Sequence, residues 1–128
     1  MSGPLKDCVL VVDDEFLIAE TLSIQIQDMG LQVCGTAATA ADAIAMAQAE
    51  RPRLVLMDMR LKGKGDGVDA ALAIHHTVGS KVIFITASRE PATLERIHTD
   101  HPAAILYKPV LGGQLQTVVR EVWASEAE

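Results

Sequence analysis

The chain has 128 residues, with 17 acidic against 11 basic side chains and a net charge of −6. That length fits one domain, residues 1–128 with a core of about 6–124, able to bury roughly two-thirds of its unfolded surface without a disulfide or metal staple. A hydrophobic content of 49% excludes intrinsic disorder, the acidic balance argues against nucleic acid as a partner, and no apolar run approaches the roughly 20 residues of a membrane span.

Short apolar runs alternate with helical patterns along the chain. The runs Cys8–Val12, Gln32–Ala37, Leu54–Met57, Val82–Ile85 and Ala103–Tyr107 have the length and the Val/Ile content of strands buried on both faces. After the first run, Glu15–Met29 places Ile18, Leu22, Ile26 and Met29 on one stripe, and Gly30 supplies a left-handed stop. Thr39 caps a helix running to Glu50, with Asp42 placed to complete a capping box. Asp66–His76 forms the third helix, with Val68, Ala71 and Leu72 on one side. Pro91 opens a fourth, to about Asp100, with few apolar anchors beyond Leu94 and Ile97. In the fifth, Leu115, Val118, Val119, Val122 and Trp123 follow the i, i+3, i+4, i+7, i+8 spacing. Cys8 and Cys34 have no CxxC spacing and read as reduced thiols of a cytoplasmic protein. His75, His76, His98 and His101 fall near helix ends, where an imidazole complements the dipole.

Five strand–helix repeats imply an α/β fold: a five-stranded parallel sheet, doubly wound in the flavodoxin-like order 2-1-3-4-5, with helices on both faces. Ligands of such sheets bind at the carboxyl ends of the strands. There the sequence puts Asp13 and Asp14 after strand 1, Asp58 after strand 3, Thr86 after strand 4, and Tyr107-Lys108-Pro109 at the end of strand 5. Three carboxylates against one ammonium give a local charge of −2, which a divalent cation would cancel. Hard oxygen donors suit Mg²⁺, and the lack of His or Cys at these ends argues against zinc.

Val11-Val12-Asp13-Asp14-Glu15, Leu56-Met57-Asp58, Phe84-Ile85-Thr86-Ala87 and Tyr107-Lys108-Pro109, with Leu115 beyond, resemble the receiver domain of the two-component response-regulator family over essentially the whole chain. The resemblance implies that Asp58 accepts a phosphoryl group from a histidine kinase or histidine phosphotransfer protein. It implies that Asp13, Asp14, Asp58 and the backbone carbonyl of Arg60 hold Mg²⁺, and that Thr86 and Lys108 contact phosphoryl oxygens. It further implies a cis Lys108-Pro109 bond, and a switch in which Thr86 shifts and Tyr107 turns inward. The output face would be helix 4, strand 5 and helix 5, also the surface for a homodimer, and slow autodephosphorylation would end the signal. Taken at full length, the chain reads as a stand-alone domain acting through partners.

The loop after Asp58 departs from the usual pattern: Lys62 stands where many receivers have proline, and Gly63, Gly65 and Gly67 suggest a mobile partner-binding loop. Val110 stands where an aromatic residue is more usual, while Arg60 and Ser88 border the site. Two rival functions follow from the same residues. A haloacid-dehalogenase-like phosphatase would need an aspartate at Arg60. A receiver-like interaction module that is never phosphorylated would not need the complete acidic set.

Overall fold

The computed structural model describes residues 4–111 and 113–126. In chain order the elements are β1 (Lys6–Val12), α1 (Phe16–Asp28), β2 (Gln32–Ala37), α2 (Ala40–Glu50) and β3 (Pro52–Asp58), followed by α3 (Gly67–Thr77), β4 (Lys81–Thr86), α4 (Pro91–His98), β5 (Ala104–Tyr107) and α5 (Gln114–Glu126). All strand pairs are parallel, in the order β2-β1-β3-β4-β5. This is the expected doubly wound sheet. No helix among the described residues is long and apolar enough to cross a membrane.

Side chains alternate across the sheet because successive Cβ atoms point to opposite faces. Leu10, Val12, Val55, Met57, Val82 and Phe84 pack under α2, α3 and α4. Val9, Val11, Leu54, Leu56, Ile83 and Ile85 pack under α1 and α5. With both faces covered, β1, β3 and β4 read as unbroken apolar runs whose polar members lie at the ends. The first polar residues past the core, Asp13, Asp58 and Thr86, are themselves buried.

Local signals explain most boundaries. Gly30 takes φ +86° after α1, a conformation that Cβ sterics deny most residues. Thr39 accepts a hydrogen bond from the Asp42 N–H at 3.0 Å, but the reciprocal half of the expected box is absent and Asp42 stays exposed. The complete capping box closes instead at α3, between Asp66 and Asp69. Helix α4 ends at His98 rather than near Asp100, with Thr99 as its C-cap. Arg51 ends α2 in the left-handed region at φ +51°, which the sequence did not signal. Cys8 and Cys34 are free, and burial, reinforced by the neighbouring Cys8, pushes the Cys34 thiol up to about 12, so it stays protonated and unreactive at neutral pH.

The loop after β3 is tied at both ends. The Lys62 N–H donates to the Ala38 carbonyl at 3.1 Å, and Lys62 bridges to Thr39 beside it. Gly67 is there for space: a Cβ would collide with the Asp58 carbonyl, and the Gly67 N–H donates to the Met59 carbonyl at 2.7 Å. Between these points, Asp66 receives both Nε and Nη2 of Arg96 from α4, at 3.2 and 3.0 Å, and Nη2 also reaches Asp69 at 3.1 Å. Burial alone would raise the Asp66 pKa, but Arg96 and the Asp69 N–H outweigh it and hold the carboxyl below its ordinary range. This clasp matters to α4, whose only buried residue within the helix is Ile97.

Candidate functional site

Parallel register delivers the polar strand ends to one edge. Val12 lies opposite Met57, Met57 opposite Phe84, Asp58 opposite Ile85, and Thr86 opposite Tyr107. The residue after each strand therefore meets its neighbours at the sheet's carboxyl edge. Carboxylate oxygens of Asp13, Asp14 and Asp58 lie within 4.8 Å of one another. The Lys108 ammonium reaches Asp13 Oδ2 at 3.0 Å and Asp58 Oδ1 at 3.2 Å. The Lys108-Pro109 peptide is cis, as expected.

Each group is held by local structure. Asp13 Oδ1 accepts the Glu15 N–H at 2.9 Å, so one carboxylate both fixes the turn before α1 and pairs with Lys108. Thr86 Oγ1 accepts the Ser88 N–H at 3.1 Å, which leaves its hydroxyl proton available to an acceptor in the site. The Lys108 N–H donates to the Thr86 carbonyl at 2.8 Å, coupling the ends of β4 and β5.

The electrostatics follow from burial and crowding. The Asp58 side chain is 8% exposed. Burial first, and the Asp13 charge second, push its pKa up to about 6 from an ordinary 3.8, against the pull of Lys108. Burial works against the Lys108 ammonium, but Asp13 and Asp58 outweigh it and hold the lysine above its usual range. One lysine cannot neutralise three acids, and the strain of that imbalance falls on Asp58.

A cavity of about 890 Å³ opens from these groups to the surface. Asp14, Asp58, Arg60, Thr86 and Lys108 line it, and so do Asp66, Ser88 and Arg89. The structure thus brings together all five residues named from the strand ends, with Arg60 at the rim. Tyr107 is placed differently: it lies half-buried at the end of β5, its ring covered by the Arg89 guanidinium at 3.9 Å from the centroid. Sequence reasoning missed Arg89 and Asp66. Arg89 follows Thr86 by three residues in the β4–α4 loop, which is the one signal that could have found it.

The donor set fits a hard divalent cation: three carboxylates, clustered oxygens and no soft ligand. With open volume beside it, the arrangement can hold a cation and an anionic group together against Asp58.

Comparison with known proteins agrees. The response regulator receiver domain family matches residues 9–120. The receiver domain of a modulated diguanylate cyclase from Desulfovibrio desulfuricans G20 is 32% identical, with a TM-score of 0.87 over 94% of this chain and 95% of that one. A CheY-like receiver domain protein from Methanospirillum hungatei JF-1 is 25% identical, with a TM-score of 0.87 over 97% of this chain and 98% of that one. No curated protein matches the sequence. With the match covering most of its length, the chain belongs to the response regulator receiver domain family, whose members serve phosphorylation-dependent two-component signalling.

Proposed function

We propose that this domain accepts a phosphoryl group on Asp58 from a histidine-phosphorylated kinase or phosphotransfer protein of the cytoplasm. The observation that carries the reading is the packing of Asp58 against Asp13 and Lys108 at the floor of an open cavity. An Asp58 carboxylate oxygen attacks phosphorus, the phosphorus–nitrogen bond breaks, and its electron pair leaves on the imidazole nitrogen. Asp13, Asp14, Asp58 and the Arg60 carbonyl would hold Mg²⁺, which when bound supplies charge neutralisation for the phosphoryl oxygens. Lys108 neutralises a further oxygen and Thr86 donates its hydroxyl to another. Phosphoryl transfer asks little of a protein beyond such positioning and charge stabilisation. Water later cleaves the acyl phosphate and restores the carboxylate.

The donor's docking surface lies beside the cavity mouth. Phe16 and Leu17 of α1 are 73% and 76% exposed, and Leu111 is 67% exposed. A groove of about 380 Å³ lined by Ile18, Leu22, Pro109 and Val110 runs up to Lys108, which borders both spaces. An apolar surface continuous with the site suits a protein donor, whose histidine must reach a recessed carboxylate. Thr86 drawn toward the phosphoryl group would let Tyr107 turn inward, and α4, β5 and α5 would present the change to a target or a second copy.

Incubation with Mg²⁺ and acetyl phosphate, read by intact mass, tests the reading. One phosphoryl group should add to the protein and none to Asp58→Ala. Absence of the addition, or its survival in Asp58→Ala, would contradict it.

A further inference from the structure

We propose that Arg89 is a cation shared between two anionic or π-rich partners: it holds the Tyr107 ring in its half-buried position under the guanidinium, and turns into the cavity to pair with the phosphoryl group once Asp58 carries one. The inference rests on the reading of Asp58 given above.

Three observations support it. Arg89 stacks on Tyr107 with its guanidinium 3.9 Å from the ring centroid, yet it also lines the cavity that contains Asp58. Stacking uses the face of the guanidinium and leaves its edge N–H donors for an acceptor. Among the described residues, no hydrogen bond to those donors is present in the resting state, whereas Lys108 is already divided between Asp13 and Asp58. Charge sets the direction. Converting a carboxylate to an acyl phosphate dianion adds one negative charge. A divalent cation cancels the resting −2 and leaves that extra charge unmatched. A second arginine at the rim, Arg60, sits on the β3–α3 loop and lacks the ring contact.

The consequence is a mechanical link. An exposed cation–π contact biases the Tyr107 rotamer by about two- to five-fold in population. Withdrawing Arg89 removes that bias at the moment Thr86, opposite Tyr107 in the sheet register, is drawn toward the same group. Arg89 is thus a binding residue for the phosphoryl group and a positioning residue for Tyr107.

Tyr107 is the only tyrosine of the chain, so 3-fluorotyrosine gives one assignable fluorine resonance. In the resting protein Arg89→Ala should move that resonance toward the position that the unmodified protein reaches with Mg²⁺ and beryllium fluoride, and Arg60→Ala should leave it in place. Tyr107→Leu should tighten beryllium fluoride binding by about two- to five-fold while Arg89 is present and leave it unchanged in Arg89→Ala. Within the Tyr107→Leu background, Arg89→Ala should weaken binding by about five-fold, the loss of one solvent-accessible charge-assisted contact. A resonance indifferent to Arg89→Ala, or equal binding with and without Arg89 in the Tyr107→Leu background, overturns the proposal while leaving Asp58 as acceptor. A protein that binds no beryllium fluoride with Mg²⁺ overturns both.

Discussion

Lys108→Ala is expected to slow phosphoryl transfer to Asp58 by about a hundredfold and to destabilise the metal-free protein by about 2 kcal/mol. Both effects have one origin. The Lys108 ammonium lies 3.0 Å from Asp13 and 3.2 Å from Asp58, with side chains 18%, 1% and 8% exposed in that order. Removing it strands carboxylates that water reaches poorly, and breaking a buried pair by deleting one partner costs about 3–5 kcal/mol where no relief exists. Here there is relief, because the Asp58 pKa already stands at about 6 and protonation removes one of the stranded charges. The expected loss is therefore the smaller figure. Mg²⁺ should restore most of the stability but little of the rate, because the proposed contact of the lysine with a phosphoryl oxygen would have no substitute. Thermal melting with and without Mg²⁺, beside the rate with acetyl phosphate, separates the two. Equal rates in both proteins would remove Lys108 from the chemistry.

Asp58→Asn is expected to do the opposite to the metal-free protein: to stabilise it at neutral pH by about 2 kcal/mol, or about 7 °C in melting temperature. The Asp58 pKa is raised in the folded state, to about 6 from 3.8. A carboxyl raised by folding adds stability that is fully present below about pH 4 and lost as pH rises through about 6. At pH 7.5 the wild type bears the full cost of an ionised Asp58, and Asn does not. The advantage should shrink steadily toward pH 4. Mg²⁺ competes with the proton for the same oxygens, so its stabilisation of the wild type should be larger at pH 7.5 than at pH 5, and smaller in Asp58→Asn at both. A variant that melts with the wild type at pH 7.5, or gains its advantage at low pH, would show that the cluster is not repulsive. Asp13→Asn should gain less, because Asp13 is the carboxylate that both accepts the Glu15 N–H and pairs with Lys108.

The sheet and its polar carboxyl edge were readable in the sequence for a shared reason. Strands covered on both faces contain almost nothing polar, so Asp13, Asp58, Thr86 and Lys108 stand out as the first residues past each apolar run, and parallel register carries them to one edge. Features joining residues far apart in the chain were not readable. The Arg96 clasp on Asp66 and Asp69 spans 30 and 27 positions and depends on the path of the loop after β3. Gly67 looked like a source of freedom, although its lack of a Cβ serves a close approach to the Asp58 carbonyl. Arg89 has no signal in the sequence beyond its place three residues after Thr86, and only the fold sets it above Tyr107. Local capping was half readable: Thr39 caps α2, but the reciprocal box formed at Asp66 and Asp69, where two carboxylates also share one arginine.

The proposed acceptance of a phosphoryl group by Asp58, beside a divalent cation held by its acidic neighbours, can be read out chemically. The most direct test is to reduce the phosphorylated protein with borohydride, which converts an aspartyl phosphate to homoserine, and to map the product by peptide mass with Mg²⁺ present and with it chelated. Homoserine is expected at position 58 alone, and none once Mg²⁺ is chelated. Modification at another residue, or equal modification without the metal, would contradict it.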